Sequence, residues 1–66
     1  MQLSTYLLEN MYSNINVWIF TKDEEIIVYG TCNELFNKCG KYILDRKVLK
    51  IETDESFSDI NIIIDM

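Results

Sequence analysis

Four consecutive residues, Thr31-Cys32-Asn33-Glu34, constrain the fold of this 66-residue chain more than any others. A threonine followed three residues later by a glutamate is a capping box. The Thr31 hydroxyl accepts from the Glu34 amide, and the Glu34 carboxylate reaches back to the Thr31 amide. The pattern predicts a helix over 32–39. Gly40 is expected just past its end in the left-handed conformation, with Lys38 and Lys41 near the negative end of the helix dipole. Cys32, Leu35, Phe36 and Cys39 recur at i, i+3, i+4 and i+7 and form one narrow apolar stripe. A stripe that narrow has to lie on something flat.

The flanking segments supply the flat partner. Asn14 to Thr21 is β-branched and aromatic, as is Ile26 to Tyr29, and the polar run Lys22-Asp23-Glu24-Glu25 separates them. This predicts a hairpin over 14–30. Ile15, Val17 and Ile19 fall on one face, whereas Trp18, Phe20, Ile27 and Tyr29 fall on the other. Both faces are apolar, the pattern of a sheet covered at least in part on each side. Arg46 to Thr53 alternates, with Lys47, Leu49, Ile51 and Thr53 opposite Arg46, Val48, Lys50 and Glu52. Asp54 to Ser58 reads as a loop tucked down by Phe57. Asp59 to Met66 reads as a last strand with Ile60, Ile62 and Ile64 on one face. Leu3, Tyr6, Leu7 and Met11 add a short helix over about 4–11, with Ser4 or Thr5 as its N-cap. The expected architecture is a single α+β domain spanning 1–66, in the order α-ββ-α-ββ. Its four-stranded, largely antiparallel sheet carries helix 32–39 on one face.

Length limits what such a domain can hold. A chain this short buries only roughly 60% of its unfolded surface, so its core is small. Its hydrophobic content of 48% is that of a globular protein. No basic residue precedes the apolar part of the N-terminus, and no apolar run is long enough to span a bilayer. The expected setting is cytosolic, without a membrane. Cys32 and Cys39 on one helix would stand roughly 10.5 Å apart along its axis, too far for a disulfide. No metal and no cofactor is expected, since histidine is absent and two cysteines at this spacing match no zinc pattern.

The same inventory points away from catalysis. Without histidine the usual general base near neutral pH is missing. Cys32 sits where a helix dipole lowers thiol pKa, yet it belongs to the apolar stripe, so packing is its expected role. The glycine loops and nucleophile elbows of phosphate-binding and hydrolytic enzymes are absent from the sequence.

Charge is sorted along the chain. Residues 1–37 carry −4, residues 38–50 carry +4 and residues 51–66 carry −5, which together make the net −5. The basic segment offers Lys41, Arg46, Lys47 and Lys50 as a nucleic-acid surface. A plainer account sets Arg46, Lys47 and Lys50 against Asp59, Asp65 or Glu52 across neighbouring strands. What stays unpaired is then acidic and sits on two turns: Asp23, Glu24 and Glu25 on the first, and Glu52, Asp54, Glu55 and Asp59 around the last. These acids are the expected partner-binding residues. Trp18, Phe20 and Tyr29 are a second candidate interface, provided the N-terminal helix does not cover them. A homodimer through this aromatic face or through the last strand is also expected.

The Asn/Ile/Lys/Glu-rich composition, the absence of proline and the small size resemble accessory proteins of phages and mobile elements in low-GC Gram-positive bacteria. Compact acidic α+β inhibitors of host defence, such as anti-CRISPR proteins, recur in that group. The resemblance implies a non-enzymatic inhibitor whose carboxylates occupy a phosphate-binding groove on a host protein in the host cytosol. A small nucleic-acid-binding module using the basic segment is the alternative.

Overall fold

Strand and helix alternation produces a two-layer domain. The computed structural model describes residues 1–53 and 59–66. Its elements are α1 (Leu3–Glu9), β1 (Asn16–Phe20), β2 (Ile26–Thr31), α2 (Cys32–Lys38), α3 (Lys41–Leu44), β3 (Val48–Thr53) and β4 (Asp59–Ile64). The expected α-ββ-α-ββ order holds, with α3 as an extra single turn after α2. The sheet order is β2-β1-β4-β3. Each hairpin, β1–β2 and β3–β4, is antiparallel, and the two meet along a parallel seam between β1 and β4. β4 is therefore central, with both of its edges paired. The expected dimer through the last strand has no free edge to use.

Period-two alternation decides the inner face. Val17 and Ile19 of β1 and Ile62 and Ile64 of β4 are fully buried beneath Leu3 and Leu7 of α1, Cys32 and Leu35 of α2, and Ile43 of α3. All three helices thus contribute to a core on the same side of the sheet. Phe36 and Cys39 complete the α2 stripe, half-buried against that core.

The capping box forms as expected. The Thr31 hydroxyl oxygen accepts from the Glu34 N–H at 3.3 Å, and Glu34 Oε1 accepts from the Thr31 N–H at 3.1 Å. The Thr31 N–H and the Thr31 hydroxyl, both donating to Oε1, hold the Glu34 carboxyl below its ordinary pKa. A depressed carboxylate stabilises the fold above its unfolded pKa, and that contribution is lost as pH falls through the folded value. Thr31→Ala is expected to cost about 1 kcal/mol in urea unfolding. Glu34→Gln is expected to flatten the acid limb of the stability profile, and an unchanged limb would contradict the capping account.

Gly40 departs from expectation. Its φ is −72°, not left-handed, and it serves as the N-cap of α3. A Cβ there would meet the Tyr42 ring at 2.7 Å, so close approach rather than backbone handedness suits glycine here. The N-terminus differs too. α1 begins at Leu3 with Gln2 as an extended N-cap that makes no side-chain bond, and Ser4 and Thr5 lie inside the helix. Its start is set by the chain that leads into β3 instead: Leu3 N–H donates to the Arg46 carbonyl at 2.9 Å, and Val48 N–H donates to the Met1 carbonyl at 2.8 Å. At the other end α1 stops at Glu9, where Asn10 Nδ2 donates back to the Tyr6 carbonyl.

β3 is shorter than Arg46–Thr53 and does not alternate simply. A register shift between Val48 and Lys50 lets both Val48 and Ile51 pair with inner-face residues, Ile64 and Ile62. Lys50 stands opposite Ile63 and Glu52 opposite Asn61. Lys50 therefore faces no acid across the ladder, whereas Lys47 does stand against Asp65, whose N–H donates to the Lys47 carbonyl at 3.0 Å. Lys50 pairs instead with Glu52 of its own strand, at 3.7 Å. Phe57 and the tucked loop lie outside the described residues.

Candidate interaction face

The sheet has a second face, and α1 does not take it. Along β1 the residues between the buried Val17 and Ile19 and beyond them, Trp18 and Phe20, are only half-buried. Trp18 lies between Tyr29 of β2 and Asn61 of β4, and Phe20 pairs with Ile63. The Trp18 and Tyr29 rings stack with centroids 4.5 Å apart and planes 13° from parallel. Tyr29 remains 59% exposed. Ile27, expected on this face, is half-buried against the core, and the register shift after Ile19 sets Ile26 opposite Phe20 instead.

At one end this face forms a hollow of about 290 Å³ with Phe20 and Ile63 as apolar walls and Asn61, Glu24 and Glu52 around them. The two glutamates come from different hairpins. Glu52 is the last-but-one residue of β3. Glu24 belongs to the β1–β2 turn, where its φ of +66° is rare for a residue with a side chain. The Thr21 hydroxyl holds that turn by accepting from the Asp23 and Glu25 amides at 3.3 and 3.2 Å. Two of the expected acids and one expected aromatic thus meet at one site.

The other candidates are distributed differently. Asp23 and Glu25 are exposed on the same turn, and Asp59 is half-buried at the start of β4 opposite Asn16. Asp54 and Glu55 lie outside the described residues. Among the basic residues, Lys41 opens α3, and Arg46 and Lys47 fall between α3 and β3. Arg46 Nε donates to the Tyr42 carbonyl at 3.2 Å, and Lys47 N–H donates to Asp65 Oδ1 at 3.1 Å. Lys50 is the one that joins the open face, paired with Glu52 there. Asn61 and Ile63 were not singled out as site residues. Their signal is the period-two offset from Ile60, Ile62 and Ile64.

Thiol chemistry finds little support in this arrangement. Burial pushes the Cys32 thiol up from its ordinary pKa, and burial pushes Cys39 up as well, only partly offset by Lys38. Both stay protonated near neutral pH, whereas a nucleophilic cysteine needs the opposite shift. Among the described residues, no three cysteine or carboxylate groups gather as a metal site, and no helix is long and apolar enough to cross a membrane. Comparison with family models, with curated proteins and with solved structures gives no match.

Proposed function

We propose that this protein is a non-enzymatic protein–protein interaction module. Its open sheet face receives a basic surface of its partner. The observation that supports this reading is a stacked, partly exposed aromatic face left uncovered by all three helices and framed at one end by Glu24 and Glu52. Aromatic centres with a charged rim are the usual anatomy of a binding surface: the apolar part supplies affinity, and the rim supplies orientation and on-rate. The more specific reading, a phage-encoded inhibitor of a nucleic-acid-binding defence protein, rests on the compositional resemblance and on the acidic rim standing where phosphate would.

The test is capture of host proteins on immobilised chain. The variant Glu24→Lys/Glu52→Lys is expected to lose about tenfold or more in affinity for the captured partner, and wild-type binding is expected to weaken as salt rises. The matched variant Lys41→Glu/Arg46→Glu should bind as the wild type does. Capture that survives the acid reversal and ignores salt would sink the proposal. So would low-salt nucleic-acid binding that depends on Lys41, Arg46, Lys47 and Lys50.

A further inference from the structure

The two edges of the sheet are built differently. β3 carries Lys50 within it and Lys47 just before it, contains a register shift, and has Gln2 bridged to Lys47 alongside its start. Lysines, bulges and a covering segment are the devices that keep an edge from pairing. β2, Ile-Ile-Val-Tyr-Gly-Thr, carries no charge and no proline, and among the described residues nothing pairs with its outer side. Its backbone has a free position there. In an antiparallel ladder alternate residues turn both backbone groups to the same side. The Thr31 N–H donates to Glu34 rather than to β1, so Thr31 faces outward. Tyr29, two residues earlier, therefore faces outward as well, with its N–H and C=O on the open edge.

We infer that the β2 edge is a strand-addition site, and that its occupant is a second copy of this chain. Paired antiparallel about a two-fold axis beside Tyr29, the edge is self-complementary: the Tyr29 N–H of each protomer donates to the Tyr29 carbonyl of the other. The chain has a net charge of −5, yet β2 itself is neutral, and the two charges that line the hollow beside it, Glu34 and Lys38, are of opposite sign. That hollow, of about 440 Å³, flanks the edge, with Val28 and Gly30 also among its lining. The result is one eight-stranded sheet on which the two Trp18–Tyr29 stacks lie side by side. This assembly uses a different surface from the face proposed for the partner and stands or falls separately.

Light scattering and amide hydrogen exchange on the full chain test it. At roughly millimolar protein the mass is expected to reach twice 7.8 kDa. The Tyr29 amide, unbonded in the monomer, should exchange at least about tenfold more slowly there than in dilute solution. A chain N-methylated at the Tyr29 amide, assembled by ligation at Cys32, keeps every side chain and is expected to stay monomeric. If that chain fails to fold, the wild-type exchange data still decide. A monomer mass at the highest concentration overturns the inference. So does a dimer whose Tyr29 amide exchanges freely, or one that survives N-methylation.

Discussion

Ile62→Ala is expected to remove most of the fold's stability and to leave a large unfolded fraction at room temperature. Ile62 is fully buried and lies at the centre of the sheet, between Ile19 of β1 and Ile51 of β3. It is where the parallel seam meets the β3–β4 hairpin, beneath the helices. Cutting a buried isoleucine to alanine costs about 2–5 kcal/mol in lost transfer and cavity energy. A domain below about 70 residues rarely holds more than about 3–5 kcal/mol in total. The single change therefore removes most of the stability. Ile63→Ala, one residue along and on the open face, should cost clearly less, about 1–2 kcal/mol, because that side chain is already partly in water. Urea unfolding followed by far-ultraviolet dichroism measures both. Equal losses at 62 and 63 would contradict the two-face assignment.

The second large effect concerns binding. Trp18→Thr/Phe20→Thr is expected to lower affinity for the captured partner by about 100-fold or more, since buried aromatic anchors contribute about 2 kcal/mol or more each. Both rings are half-buried, so the double variant also loses apolar burial, and far-ultraviolet dichroism checks that it is folded before binding is read. Loss of the Trp18–Tyr29 stack adds about 1 kcal/mol to that cost. Undiminished binding by a folded double variant would exclude the open face as the interface.

Local chemistry was legible in the sequence where four or five residues sufficed to determine it. The Thr31–Glu34 box and the stripe through Cys32 and Leu35 need only their own segment, and both appear as read. So does the inward set Val17, Ile19, Ile62 and Ile64, because period two sorts β1 and β4 unaided. What depended on distant neighbours was not legible. Gly40 follows one helix and begins another, and its extended backbone, φ −72°, gives it the second role. The start of α1 is governed by hydrogen bonds to residues 46 and 48, more than forty positions away. The β3 register shift moves Ile51 and Val48 onto one face and sets Lys50 opposite Ile63 rather than an acid. At the candidate site, Trp18, Phe20 and Tyr29 were visible as a second face. Its meeting with Glu24 and Glu52 was not, since it requires the order β2-β1-β4-β3 to bring the β1–β2 turn and the end of β3 around Phe20 and Ile63.

The central claim is that this second face is open and acid-framed, and the chain carries a built-in reporter of it. Trp18 is the sole tryptophan. In the folded, free protein its fluorescence is expected to be quenched by acrylamide to a substantial fraction of the extent seen in urea. Caesium should quench it better than iodide, because Glu24 and Glu52 lie on the same face. A Trp18 that acrylamide cannot reach in the folded protein would show the face to be covered and would contradict the account.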